Sequence, residues 1–266
     1  MSDIRYRVLP DADNSRLERK EPGFGKGYEK WCPTCSKKGK YIWRDVEVEC
    51  DCEHQVALFK WYSSSGIGAN YQRLDWDDYV VDTPSKAALK GGVTKYLDNA
   101  QEFLRQGMGL YLSGDIGVGK TMLLNLVLKD LVKAGYSCFA TTFAQMIEMY
   151  TAGWTDKEEK QWFQRKFLNS QFLLLDDVGK ERDTKIALNE TTFDAILRQR
   201  VTDGRPTFIS TNPTADAMEE RYGKAILSLV REQSLEELVT GVDYRPKANK
   251  RRIEEVLLKG WTRPIV

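Results

Sequence analysis

Residues Leu112 to Met122 read LSGDIGVGKTM, and this stretch decides the fold. Within it Gly114–Thr121 (GDIGVGKT) fills every fixed position of the pattern G-x-x-x-x-G-K-[ST]. The apolar run Gly109-Leu110-Tyr111-Leu112 precedes it, and the helix-prone run Met122 to Lys129 follows, so the setting is strand, loop, helix. Gly114, Gly117 and Gly119 release the backbone from side-chain sterics. Successive N–H groups through Asp115, Ile116, Val118, Lys120 and Thr121 then turn inward at a helix N-terminus, where a nucleotide's phosphates bind. Lys120 supplies a point charge to the β- and γ-phosphates, and the Thr121 hydroxyl is placed to ligate Mg²⁺. The plainer alternative, a glycine-rich turn before an ordinary helix, requires all four fixed positions to coincide by chance.

Working outward, strands and helices alternate from about residue 70. Candidate strands are 109–112, 137–141, 172–175, 207–210 and roughly 237–240, with helical stretches between most of them. The pattern predicts an α/β fold, a parallel sheet covered by helices on both faces, with ligand at the C-terminal ends of the strands. FLLLDDVGK (Phe172 to Lys180) runs four apolar residues into two aspartates. Asp176 is suited to holding Mg²⁺ and Asp177 to polarising an attacking water, a pairing that favours hydrolysis over phosphoryl transfer to a metabolite. RPTFISTNPT (Arg205 to Thr214) ends a third strand in Ser210-Thr211-Asn212. The Asn212 amide can reach a γ-phosphate and orient water; an Asn-Pro turn is the alternative.

The 266 residues suffice for one full domain and a smaller appendage, and a formal net charge of +1 announces no global field for nucleic acid. No apolar run approaches the ~20 residues of a membrane span and the N-terminus lacks a signal-peptide core, so a soluble, cytoplasmic protein is expected. Residues 1–30 are polar, with Pro22, Gly23, Gly25 and Gly27 close together, and read as a flexible arm. Residues 31–66 form a compact unit and a linker helix containing Val56, Leu58, Phe59, Trp61 and Tyr62, and SSSGIGAN reads as a hinge into residues 67–266. Four of the five cysteines fall here, as Cys32-Pro-Thr-Cys35 and Cys50-Asp-Cys52. Two close thiolate pairs on two turns can close the tetrahedral S₄ shell that Zn²⁺ prefers. His54 in place of Cys52, or metal-free thiols, are the alternatives. Cys138 reads as a small buried strand residue.

GDIGVGKT, LLLDDVG, NETTFDAILRQRVTDGRPTFISTN, EERYGKAILSLVRE and GVDYR together resemble the DnaC/DnaI/IstB branch of AAA+ ATPases, over about residues 67 to 246. The resemblance implies an AAA+ P-loop sheet that binds and hydrolyses ATP with Mg²⁺. It implies a loader that oligomerises along single-stranded DNA, grips a replicative DnaB-type helicase through its zinc-bearing N-terminal module, and deposits it on the strand. It also implies a trans-acting arginine finger and a sensor arginine. The family's basic residue after the Tyr-Gly pair is displaced in Ser228-Leu229-Val230-Arg231, so Arg231 is the first choice for the finger and Arg221 the second. Arg245, in Asp243-Tyr244-Arg245, matches the arginine that touches its own subunit's nucleotide.

Two further stretches are candidates for touching DNA. The tail from Arg245 carries Lys247, Lys250, Arg251 and Arg252, with Trp261 beyond, and the insert 144–170 contains Trp162, Phe163, Arg165 and Lys166. Basic groups beside aromatic rings suit a sequence-tolerant grip, although aromatics at helical spacing also suit a core. Within the same branch an IstB-type transposition ATPase acting on duplex DNA is the competing reading. A nucleotide-stabilised scaffold with little turnover comes from a different class.

Overall fold

The computed structural model describes residues 32–36, 38–180, 186–257 and 263–266. The arm expected over residues 1–30, and Trp261, lie outside the described residues. Two compact bodies result: one takes the described residues up to Tyr79 together with those from Tyr244 to Val266, the other is Val80–Asp243. The division therefore falls after Tyr79, beyond the hinge expected near residue 66, and the first body takes in the C-terminal stretch.

In the first body strands β1 (Lys40–Trp43) and β2 (Val46–Glu49) pair antiparallel, Trp43 opposite Val46. Arg44 and Asp45 both take positive φ, 49° and 64°, the turn that matches the twist of a two-residue hairpin. Helix α1 (Cys52–Ser64) is capped by Asp51, whose carboxylate accepts the His54 N–H, and buries Leu58, Trp61 and Tyr62; α2 (Ala69–Gln72) follows.

The last residues are bound to this body as an extended strip. Gln55, itself buried, accepts the Ile265 N–H at 2.7 Å and donates to the Ile265 carbonyl at 3.1 Å, while Thr34 donates to the same Gln55 oxygen. Tyr62 Oη donates to the Val266 carbonyl at 2.9 Å. Arg263 lies over the Trp43 ring and pairs with Asp78, both almost fully buried. Burial opposes the Asp78 charge, but the Arg263 guanidinium overrides it and holds the carboxyl below its usual range.

In the second body, helices α3 (Pro84–Asp98) and α4 (Ala100–Gln106) precede β3 (Gly109–Gly114). Then come α5 (Lys120–Lys133), β4 (Cys138–Thr142), α6 (Phe143–Ala152), α7 (Lys157–Phe163) and a π-helical turn, Gln164–Leu168. β5 (Phe172–Val178), α8 (Ile186–Thr202), β6 (Thr207–Thr211), α9 (Ala215–Tyr222), α10 (Lys224–Glu232) and β7 (Ser234–Val239) complete it, and α11 (Arg245–Leu257) belongs to the first body. The five strands β3 to β7 form one parallel sheet in the order β4-β5-β6-β3-β7. Four strands lie within a residue or three of their expected ends. β7 begins at Ser234, earlier than expected, because this edge strand exposes Leu235, Glu236, Glu237 and Leu238 and so lacks an apolar alternation to read.

The core of the second body corrects one expectation. Trp162, Phe163 and Lys166 are buried: Trp162 and Phe163 pack with Phe139 and Phe167, and Lys166 Nζ stands 5.6 Å above the Phe139 ring. Their helical spacing serves the core, and only Arg165 of that group reaches solvent. Arg200 is buried completely, donating to the carbonyls of Phe167 (2.8 Å), Ser170 (3.1 Å) and Pro206 (2.6 Å) and to the Thr207 hydroxyl (2.9 Å). It thereby ties the end of α8 to the approaches of β5 and β6. Arg200→Met would strand these acceptors, and a loss of about 4 kcal/mol or more is expected in urea unfolding. Arg200→Lys should recover little, because one ammonium cannot span the fork.

Candidate nucleotide site and thiolate cluster

The sheet order brings the three sequence motifs together. β6 lies between β3 and β5, so the loop after β3, the acids ending β5 and the amide after β6 meet at one strand end. Gly114 is glycine because a Cβ there would lie 2.1 Å from the Val239 carbonyl oxygen, and at Gly117 it would strike the Asp243 carboxylate. Asp115 Oδ2 accepts the Gly241 N–H at 3.1 Å, Ile116 is exposed, Val118 is buried, and Gly119 takes a left-handed φ of 105° to start α5.

Lys120 Nζ donates to the Gly114 carbonyl (2.8 Å), the Asp115 carbonyl (2.6 Å) and Asn212 Oδ1 (2.7 Å). Burial and then the Lys180 charge push its pKa down to about 8, against the pull of Asp177, Asp115 and Asp176. Asn212 turns its Nδ2 to Asp177 Oδ1 at 3.4 Å, so one amide links the loop lysine to the second acid. Thr121 Oγ1 donates to Asp176 Oδ1 at 2.8 Å, and Ser210 Oγ donates to the same oxygen. Burial raises the Asp176 pKa, with these two hydroxyls working the other way.

A register shift between Leu175 and Val178 breaks the β5–β6 ladder at the acid pair, and Asp177 takes a φ of 57°. Such a bulge re-aims side chains. The Ser210 hydroxyl secures it by accepting the Asp177 N–H at 3.1 Å. The sequence named Ser210 only as part of the Ser-Thr-Asn ending; its hold on both acids follows from the bulge, which sequence periodicity does not carry. Lys180, ion-paired with Asp177, is a second residue that the sequence reading missed.

Arg231, on the last turn of α10, pairs with Glu236 at 3.2 Å and is half-exposed. Arg221 ends α9 and Arg245 opens α11 in the first body. In that same helix Arg251 pairs with Asp78 and Glu255, and Arg245, Lys247, Lys250 and Arg252 are exposed.

In the first body Cys32, Cys35, Cys50 and Cys52 place their sulfurs within 4.8 Å of one another. Cys32–Cys50 and Cys35–Cys52 are 3.5 and 3.4 Å apart, too far for disulfides and close to the ~3.8 Å edge of a tetrahedron with Zn–S bonds of about 2.3 Å. His54 is not in the group, so the variant in which it replaces Cys52 is set aside. Burial disfavours charge on Cys35, but the hydrogen bond with Cys52 prevails and lowers its pKa to about 7; burial pushes Cys50 up, and the Cys35 contact raises Cys52 to about 11. Thiols that share protons in this way can release them to a soft cation.

No protein-family model matches the chain. It is 30% identical over 158 residues to the replicative helicase loader DnaI of Bacillus subtilis (strain 168), covering 59% of this chain and 48% of that protein. The match thus spans about half of that relative's length. Among solved structures it is similar to the DnaC helicase loader, with a TM-score of 0.59 at 23% identity over 65% of this chain and 100% of that one. The fold is that of the DnaC/DnaI-type AAA+ ATPases. The DnaI crystal structure agrees, with a TM-score of 0.55 at 21% identity over 67% of this chain and 94% of that one. Val80–Asp243 carries the five-stranded sheet of that fold. Among the described residues no helix is long and apolar enough to cross a membrane.

Proposed function

We propose that the chain is an ATP-dependent loader of a replicative, DnaB-type helicase onto single-stranded DNA, acting as an oligomer. The observation that carries the reading is the Lys120–Asn212–Asp177 linkage beside the Thr121–Asp176 pair, built into an AAA+ fold whose curated relative is a helicase loader. The backbone N–H groups of Gly114–Thr121 would receive the phosphates of ATP and Lys120 would exchange its carbonyl partners for phosphate oxygens. Thr121 and Asp176 would hold Mg²⁺, which supplies charge neutralisation between the phosphates. Asp177 accepts a hydrogen bond from the attacking water and Asn212 orients it. The resemblance implies that Arg245 serves the nucleotide of its own subunit.

The four cysteines would hold Zn²⁺ in a structural role, so the module would present a surface to the helicase and do no chemistry. Lys247, Lys250 and Arg252 offer phosphate contacts to the DNA strand. The direct test is capture on the tagged protein from its native host with ATP present. A hexameric helicase among the bound proteins supports the reading, and a transposase in its place moves the chain to the transposition branch.

Arg231 completes a neighbour's site in this reading, which requires its Glu236 pair to open in the assembly. Arg231→Ala should retain ATP affinity in the monomer but lose DNA-stimulated hydrolysis and ATP-dependent oligomers, a rate loss of ~10³-fold. Mixed with Lys120→Ala protein it should regain part of the turnover, read by phosphate release. Recovery with Arg221→Ala instead would assign the finger to Arg221.

A further inference from the structure

Lys180 ends a tight turn that returns to the acid pair. Its N–H donates to the Asp177 carbonyl at 3.3 Å, and the turn runs through Gly179 at a φ of 91°. A Cβ on Gly179 would lie 2.8 Å from Pro213 and 3.1 Å from the Met218 sulfur, so the turn is wedged against the segment that follows Asn212. The Lys180 ammonium is thereby aimed at Asp177 Oδ1, the oxygen that Asn212 also approaches. Four side chains form a row, Lys180, Asp177, Asn212 and Lys120, with a cation at each end.

Both partners of the outer pair are more than a third exposed, 37% and 39%, and such pairs hold weakly. On the ATP-site reading the β-phosphate lies on Lys120, and a terminal phosphate beyond it would compete with Asp177 for the Lys180 ammonium. That phosphate carries more charge than a carboxylate and offers several acceptor oxygens.

We propose that Lys180 is the residue that distinguishes a nucleoside triphosphate from a diphosphate: its ammonium passes from Asp177 to the terminal phosphate when that phosphate is present, and stays on Asp177 when it is not. The exchange leaves Asp177 Oδ1 open to water only in the triphosphate state. The inference rests on reading Gly114–Thr121 as an ATP site.

The test compares the binding of ADP and of a non-hydrolysable β,γ-methylene ATP analogue, both with Mg²⁺, by calorimetry on the full chain. Lys180→Met should weaken the triphosphate analogue about tenfold and ADP less than about twofold, whereas Lys180→Arg should keep the preference. Equal weakening of both nucleotides, or no change in their ratio, overturns the proposal. If the folded wild-type chain binds neither nucleotide, as Lys120→Ala is expected to do, the ATP-site reading fails and this one with it.

Discussion

Asp177→Asn should still bind ATP but hydrolyse it ~10²-fold or more slowly, whereas Lys120→Ala should lose binding altogether. The difference follows from where the two side chains stand. Lys120 is held inside the loop by two carbonyls and Asn212, so its loss would remove the proposed anchor for the β- and γ-phosphates. Asp177 sits beyond that anchor on the bulge of β5, held by Ser210 and approached by Asn212. An amide there preserves shape and the amide partner, but it cannot serve as an anionic acceptor for water. Fluorescent-nucleotide titration and steady-state phosphate release separate the two effects. Normal turnover by Asp177→Asn would remove the water-activating role and place it on another group.

The second large effect concerns the metal. Protein purified without chelator should carry about one zinc per chain, and Cys32→Ser/Cys50→Ser should carry none, by elemental analysis. The β1–β2 hairpin has little core of its own, since most of its residues are exposed or half-exposed and its ends lead into the two cysteine pairs. Binding free energy of ~10 kcal/mol or more for a structural zinc would then be most of what holds the knuckle. Thr34 sits between Cys32 and Cys35 and bonds Gln55, which in turn grips Ile265. Chelation should therefore speed amide exchange at Ile265 as well as across the hairpin, by ~10²-fold or more. A metal-free chain that keeps its hairpin protected would contradict the zinc assignment.

How much of this was readable without the structure depends on the range of each signal. The loop Gly114–Thr121, the acids ending β5 and the amide after β6 are local patterns with fixed spacing, and the fold brings them together. The four cysteines were likewise legible, because two close cysteine pairs on two turns are the spacing of a thiolate metal site. Lys180 was not, since no spacing rule marks a lysine beyond an acid pair. The bulge that turns Asp177 toward Asn212 arises from strand pairing across β5 and β6, which a single segment does not encode. Gln55 and Ile265 meet across most of the chain length, and Arg200 satisfies carbonyls from two separate segments; both depend on tertiary approach. Trp162 and Lys166 show the converse: a cation beside an aromatic ring reads as a nucleic-acid grip, yet here the lysine's ammonium lies over Phe139 in a buried layer.

The central claim is that ATP held at Gly114–Thr121 drives helicase transfer, and it is tested most directly on a closed circle of single-stranded DNA, which offers no end for threading. The purified chain, its helicase from the same host and ATP are mixed with the circle, and helicase retained on DNA is measured after a high-salt wash. The account predicts retention that requires both the chain and ATP and that is lost with Lys120→Ala. Retention that is equal with Lys120→Ala, or absent although chain and helicase bind each other, would contradict it.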